Sequence, residues 1–218
     1  MTKFNFKLNA REASVWILLA ILTPVLAGCF GATVAGVGAG AIMAADRRPS
    51  ETYLTDEGIE LRTSNRISEK FPGGAHVSVT SYNRSVLLTG EVADANARTE
   101  VEKIAAGVPN VKAISNEVQI AGMSTLGARS NDAYITSKVK ARFLDANQFA
   151  TIHVKVVTEA GTVYLLGMVT QRESNEAVQI ARTTAGVQKV VRVFEIIPED
   201  HARQMDNRPA AEVAGKKP

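Results

Sequence analysis

The apolar residues of this chain follow two different patterns. Near the N terminus they are nearly continuous, over residues 15–22 and again over the glycine- and alanine-rich stretch 30–45. From about residue 52 onward they recur every two or every four residues, which are the spacings of half-buried strands and of helices. The pattern therefore predicts an N-terminal segment with a role of its own, followed by a folded region of mixed helices and strands.

The folded region contains an internal repeat. The segment Val-Leu-Leu-Thr-Gly-Glu-Val at 86–92 matches Val-Tyr-Leu-Leu-Gly-Met-Val at 163–169, an offset of 77, and the flanking segments match at an offset of 76. Apolar or small residues recur every four positions ahead of this segment in both copies: Ile59, Thr63 and Ile67, then Ile135, Val139 and Phe143. Two copies of one module, 52–121 and 128–198, with a linker over 122–127, account for most of this region.

Within each copy the periodicity predicts a helix, two strands, a second helix and a last strand. The fold class is therefore α/β (α+β), with each module an α-β-β-α-β two-layer sandwich. Asp56 and Asp132 precede the periodic apolar residues, so we expect them to cap the first helix or lie in its first turn. Asn110 and Gly186 follow the second helix at equivalent positions, where a turn with positive φ is expected.

The N-terminal segment has the layout of a secretory signal peptide, with a basic start, a short apolar run and small residues at its end. It closes with Leu26-Ala27-Gly28-Cys29, which resembles the lipobox of bacterial lipoproteins. The resemblance implies cleavage after residue 28 and acylation of Cys29, by palmitate among other chains, at the start of a tether and linker over 29–51. Two alternatives are a plain signal peptide with an incidental cysteine, and one membrane span that merges both apolar stretches.

The repeat resembles the BON domain. In each copy Val-x-Leu-x-Gly precedes the second helix, and in the second copy Gly-Val-x-x-Val follows it, from Gly186 to Val190. The first copy departs from this pattern with Asn110 in place of the usual glycine. A lipobox followed by two such domains resembles the dual-BON lipoproteins of the outer membrane. This resemblance implies a non-enzymatic protein, lipid-anchored and facing the periplasm, that supports envelope integrity and cell division, and Phe30 in place of aspartate after Cys29 agrees with the outer membrane.

Composition narrows the choice of partners. The formal net charge of +3 falls to about +1 without the leader, so charge gives no reason to expect a nucleic-acid partner. We recognise no catalytic, cofactor or metal-binding motif, and expect none of these. His76 and His153 begin equivalent strands and have no assigned role, while Glu91 and Glu195 are expected to be solvated. The polar tail, 199–218, is expected to be disordered.

One face of the first helix of the second module is the candidate site. Tyr134, Lys138 and Arg142 follow one another every four residues beside the stripe that faces the core, and Lys140 lies nearby. A tyrosine with cations suits an anionic phospholipid surface, and the first copy has Gly58 at the tyrosine position. The resemblance implies phospholipid binding through this helix, usually with tryptophan there, so tyrosine predicts weaker insertion. Alternatively, Tyr134 packs against the sheet edge, or it is a hot spot for an envelope protein or peptidoglycan-associated partner.

Overall fold

The computed structural model describes residues 46–208. The first module has the predicted order, with a short extra strand at its end. Its elements are α1 (Ser50–Lys70), β1 (Ala75–Tyr82), β2 (Ser85–Val92), α2 (Ala95–Ala106), β3 (Ala113–Asn116) and β4 (Gln119–Ile120). Strands β1 and β2 form an antiparallel hairpin, and β3 and β4 both pair with β2 in parallel.

The second module repeats this arrangement and adds a helix. Its elements are α3 (Leu126–Ala146), a 3₁₀ turn (Thr151–His153), β5 (Lys155–Glu159), β6 (Thr162–Val169), α4 (Gln171–Arg182), β7 (Lys189–Ile196) and α5 (Glu199–Asp206). Strands β5 and β6 are antiparallel, and β7 pairs with β6 in parallel along its full length. The fold class predicted from periodicity is confirmed in both modules.

Each module has its own core between its sheet and its two long helices. In the first, Ile59 and Ile67 of α1 meet Val86 and Leu88 of β2. In the second, α3 supplies three side chains buried to 1% exposure or less, Ile135, Val139 and Phe143. The four-residue period in the sequence therefore marks the core-facing side of each first helix, as predicted.

A third apolar cluster joins the two modules through the sheet faces that carry no helix. Because side chains alternate across a strand, Leu87 and Leu166 point away from the core residues next to them in sequence. The cluster draws on both sheets and on α5, and consists of Tyr82, Leu87, Tyr164, Leu166, Met168, Ile197 and Ala202. Strand β6 is thus buried on both faces along its whole length.

The role predicted for Asp56 and Asp132 is wrong. Helix α1 begins at Ser50 and α3 at Leu126, so both aspartates lie inside a helix, where they are buried. Asp132 accepts hydrogen bonds from the backbone N–H groups of Ala160 and Gly161, both at 2.9 Å, in the turn between β5 and β6. Asp56 accepts in the same way from the N–H groups of Asn83 and Arg84, at 2.8 and 2.7 Å. Each aspartate therefore binds the hairpin turn of its own module.

The segment that follows β7 also differs from prediction. Residues 199–206 form α5 instead of a disordered tail, because Ala202 is buried and Met205 packs beside it in the cluster between the modules. The linker assigned to 29–51 ends earlier, since α1 starts at Ser50 and Asp46, Arg47 and Arg48 are buried. The predictions for residues 1–45, Cys29 among them, and for 209–218 lie outside the described residues.

Between residues 46 and 208, no helix combines the length and the apolar character that crossing a membrane would require.

Candidate functional site

Helix α3 is held in a defined orientation at both ends and along one face. The Thr125 hydroxyl accepts a hydrogen bond from the Ala128 N–H at 3.2 Å and caps the start of the helix. Asn147 ends it in a left-handed conformation, with φ of 47°. With Phe143 fixed in the core, the residues on the opposite side of the helix must face solvent.

Tyr134 lies on that exposed side, and 62% of its surface is accessible to solvent. The Lys138 Nζ lies 4.5 Å from the centroid of its ring, a distance at which a cation and an aromatic face attract each other. The alternative in which Tyr134 packs against the sheet edge does not agree with this exposure. The structure therefore brings an aromatic ring and a cation together at the surface, one helical turn apart.

The two half-buried cations of the stripe have a second role that the sequence did not indicate. Arg142 donates from Nη1 to the Ile180 carbonyl and to the Thr183 hydroxyl, both at 3.0 Å, and Lys138 donates to the Ala185 carbonyl. These acceptors lie at the C-terminal end of α4, where unpaired carbonyls carry partial negative charge. Lys138 and Arg142 therefore join α3 to α4 as well as adding positive charge to the surface.

Lys140 lies elsewhere on α3. Two residues correspond to about 200° around a helix, so Lys140 and Lys138 cannot share a face. Lys140 lines a cavity of about 510 Å³, together with Arg48 and Lys155 and with apolar atoms of Phe143 and Leu144. The structure thus groups three of the four predicted residues and separates the fourth.

The exposed side of α3 carries three large apolar side chains among short ones. Leu126 and Leu144, 80% and 65% exposed, lie about 80° from Tyr134 around the helix, both on the same side. The positions between them on this side are short side chains, Ser130, Ala133, Ser137 and Ala141. Two charged residues border it: Lys140 lies about 40° around the helix from the leucines, and Asp145 lies about 16 Å along the helix from Tyr134. On this face, Leu126, Tyr134 and Leu144 therefore project beyond the short side chains around them.

The equivalent face of α1 has the cations without the aromatic. Arg66, which corresponds to Arg142, donates to the Gly107 carbonyl at 3.0 Å at the end of α2. Arg62 lies over Gly58, where an added Cβ would come within 3.0 Å of its guanidinium. The contact of a cation with the end of the second helix is thus common to both modules, whereas the exposed tyrosine belongs to the second.

His76 and His153 share a backbone arrangement but not side-chain surroundings. A Cβ on Gly90 would lie 2.0 Å from the His76 carbonyl oxygen, and one on Gly167 would lie 2.2 Å from that of His153. The His76 Nδ1 lies 3.0 Å from Oε2 of Glu91, while the His153 Nε2 lies 3.6 Å from Oδ1 of Asp206. The repeated histidine therefore marks a place where a backbone carbonyl lies so close to the neighbouring strand, β2 or β6, that only glycine fits beside it.

Arg47 forms a buried ion-pair cluster that sequence reasoning missed. It donates to Glu173 at 2.7 and 2.9 Å, to Asp206 at 2.8 and 2.9 Å, and to the Met168 carbonyl at 2.9 Å. Burial alone would raise the pKa of Glu173, but the hydrogen bonds from Arg47 and the Thr170 N–H, together with the positive charge of Arg47, outweigh burial and lower that pKa below its ordinary value. The residues that precede α1 are thereby fixed to the second module and to α5. The sequence around Arg47 has no apolar periodicity or motif from which this contact could be predicted.

Glu91 and Glu195, which the sequence assigned to solvent, differ in the structure. Glu195 is exposed and accepts a hydrogen bond from the Asn83 side chain at 2.6 Å. Glu91 is only 6% exposed, so the prediction is wrong for this residue. Strand alternation places Glu91 on the face of β2 that the second module covers, and the fold of one module alone could not reveal this.

Comparison with known proteins identifies the repeat. Residues 55–122 and 131–198 each match the BON domain. The chain is 35% identical over 185 residues to the outer membrane lipoprotein DolP of Haemophilus influenzae, a match that covers 82% of this chain and 95% of that one. It is 31% identical to the 21 kDa hemolysin of Actinobacillus pleuropneumoniae, over 70% of this chain and 79% of that one. It is 32% identical to the osmotically-inducible protein Y of Escherichia coli, over 52% and 58% of the two chains.

Proposed function

Because the chain belongs to the BON domain family, we propose that it is a non-enzymatic lipoprotein of the outer membrane that supports envelope integrity by binding anionic phospholipid through α3 of its second module. The observation that carries the proposal is Tyr134, exposed beside Lys138 on the solvent-facing side of α3. A relative that spans most of the chain is named an outer membrane lipoprotein, and this name supports the proposed location.

The face of α3 has the two components of an interfacial site. Tyr134, Leu126 and Leu144 offer apolar surface that can enter the headgroup region, where a tyrosine ring buries its carbons and keeps its hydroxyl hydrated. Each cation close to an anionic leaflet adds about 1 kcal/mol. Since Lys138 and Arg142 also bind carbonyls at the end of α4, part of their charge is already balanced. We therefore expect apolar insertion to contribute at least as much as charge.

The proposed anchor is compatible with this contact. In the proposal, acylated Cys29 holds the chain at the membrane from the periplasmic side. The chain between Cys29 and Asp46 can span at most about 60 Å, which exceeds the length of α3, about 32 Å. A tether of that reach lets the second module approach the same leaflet with α3 lying along it.

The second candidate is an adaptor that binds an envelope protein or a peptidoglycan-associated partner. The row of Leu126, Tyr134 and Leu144 favours it too, because a line of exposed apolar residues on a helix also suits a groove in another protein. The two candidates differ in their dependence on lipid charge and on salt.

Vesicle sedimentation distinguishes them. The unacylated mature chain, residues 29–218 with Cys29→Ser, is mixed with vesicles that contain increasing phosphatidylglycerol. We expect bound protein to rise with that content, and Tyr134→Ala to weaken binding several-fold at both low and high salt. The matched control is Leu54→Ala, which removes a side chain with 64% exposure from α1 and should leave binding unchanged. Equal binding by parent and Tyr134→Ala, with both folded, would contradict the lipid role and favour the adaptor.

A further inference from the structure

Three side chains with metal-ligand atoms meet where the two modules join. They are His76 on β1, Glu91 on β2 and Glu159 at the end of β5, and one nitrogen or oxygen atom of each lies within 4.8 Å of the others. His76 and Glu91 are directly opposite each other in the β1–β2 hairpin. Because Glu159 comes from the second module, the cluster is complete only when the modules are packed together.

The cluster concentrates negative charge in a buried place. Glu91 and Glu159 are 6% and 8% exposed, and the third member of the cluster is the His76 imidazole. Two carboxylates held so close with one imidazole repel each other, and a divalent cation would offset that repulsion.

The surroundings also suit a metal site. Glu91 accepts a hydrogen bond from the Ser124 N–H at 3.3 Å, so its carboxylate has a second partner that orients it. The His76 side chain keeps 23% of its surface exposed. Glu91 also lines an open cavity of about 460 Å³, which gives an ion access from solvent.

We propose that His76, Glu91 and Glu159 bind one divalent transition-metal ion, with Zn²⁺ as the reference ion, and that this ion links the two modules. An imidazole nitrogen with two carboxylate oxygens is a donor set that zinc accepts, with bonds of about 2.0–2.2 Å. Around a tetrahedral ion with such bonds the ligand atoms lie roughly 3.4 Å from one another. Side-chain rotations therefore have to shorten the present separations of up to 4.8 Å to that value. A fourth position remains for water.

Calorimetric titration of ZnCl₂ into the metal-free full chain, purified in detergent, tests the proposal. We expect one ion per chain, and a dissociation constant at least tenfold weaker in Glu159→Gln, which keeps the shape of the side chain. Zinc should also raise the melting temperature of the parent, whereas the metal-free Glu159→Gln variant should melt no lower than the metal-free parent, because it has lost a buried repulsion. His201→Gln, which changes an exposed histidine of α5, is the control and should bind like the parent.

A second readout needs no variant. On addition of one equivalent of Zn²⁺, the imidazole nitrogen resonances of His76 should shift, while those of His201 should not. Absence of zinc binding by the parent would overturn the proposal. Unchanged affinity in Glu159→Gln, or a zinc-induced shift confined to another histidine, would also overturn it, because the ion would then bind elsewhere.

Discussion

At the scale of single residues, Asp56 and Asp132 show how one side chain can determine a turn. Both central residues of each hairpin turn have positive φ, at 49° and 66° in Asn83 and Arg84 and at 49° and 71° in Ala160 and Gly161. Positive φ costs a residue with a side chain about 1–2 kcal/mol. A carboxylate that accepts both turn N–H groups stabilises this conformation with charge-assisted hydrogen bonds.

We therefore expect Asp132→Ala to destabilise the second module by about 2–4 kcal/mol, since two charge-assisted hydrogen bonds are lost and two backbone donors remain unpaired. Urea unfolding measures the change. Asp145→Ala removes an exposed acid from the same helix and is the matched control, with an expected change within about 0.5 kcal/mol. If Asp132→Ala were as stable as this control, the turn would not depend on the carboxylate.

The exposure of Tyr134 could be predicted from the sequence, because it depends only on the spacing of residues within one helix. The four-residue period of Ile135, Val139 and Phe143 identifies the buried side of α3, and helical geometry then places position 134 outside. The helix start was harder to locate. Leu126 is exposed and adds nothing to the periodic apolar pattern. The pattern therefore does not predict that the six residues ahead of Asp132 are helical, and it places the aspartate at the start of the helix instead of inside it.

At the scale of elements, the contact between α3 and α4 shows what the periodicity of the sequence cannot predict. The spacing of Lys138 and Arg142 places them on one stripe, but it cannot say which backbone they meet. Their partners lie in the segment from Ile180 to Ala185, which only the packing of the two helices brings close. Basic residues assigned to lipid headgroups alone therefore contribute to stability as well.

Arg142→Ala should lower the free energy of unfolding by about 1–2 kcal/mol, because the carbonyl of Ile180 and the partial charge at the end of α4 lose their donor. It should also weaken vesicle binding, more at low salt than at high salt. Lys140→Ala removes an exposed cation that lies about 200° from Lys138 and should leave stability unchanged. Equal stability of Arg142→Ala and the parent in urea would show that the contact with α4 contributes nothing.

At the scale of the whole molecule, the two modules pack against each other together with the described residues that flank them, 46–49 and 199–208. The sequence predicted two sandwiches, but each sandwich has a second apolar sheet face that its own helices leave uncovered. The alternation of apolar residues around Leu87 and Leu166 predicts this second apolar face in each sheet. It does not predict that the two faces pack against each other. The polar composition of residues 199–206 also hid the packing of Ala202 and Met205.

The Arg47 cluster should make stability depend on acid. The pKa of Glu173, like that of Asp206, is lowered in the fold by Arg47 against the effect of burial, so the stabilisation is present above the ordinary carboxyl values and is lost as pH falls through the lowered ones. Arg47→Met should destabilise the chain by about 3 kcal/mol at neutral pH, chiefly because buried Glu173 loses its partner. Asp206 is partly exposed and contributes less.

A double-mutant cycle checks this assignment. Glu173→Gln keeps an acceptor for the Thr170 N–H that Glu173 now binds at 2.8 Å, so it removes charge with little change in shape. Combined with Arg47→Met, it should recover part of the lost stability and flatten the acid dependence in urea unfolding below about pH 4.5. Strictly additive losses would show that the two side chains do not act as a pair.

The central claim, that Tyr134 enters an anionic membrane surface, can be measured at that position. Trp16 is the only tryptophan in the sequence and is absent from the unacylated chain 29–218, so Tyr134→Trp in that chain creates a single tryptophan reporter. We predict a blue shift of its emission on phosphatidylglycerol vesicles, with quenching by brominated lipid, and neither change for Leu61→Trp at an equally exposed site on α1. An emission maximum that stays at its aqueous position while the protein sediments with the vesicles would contradict the account.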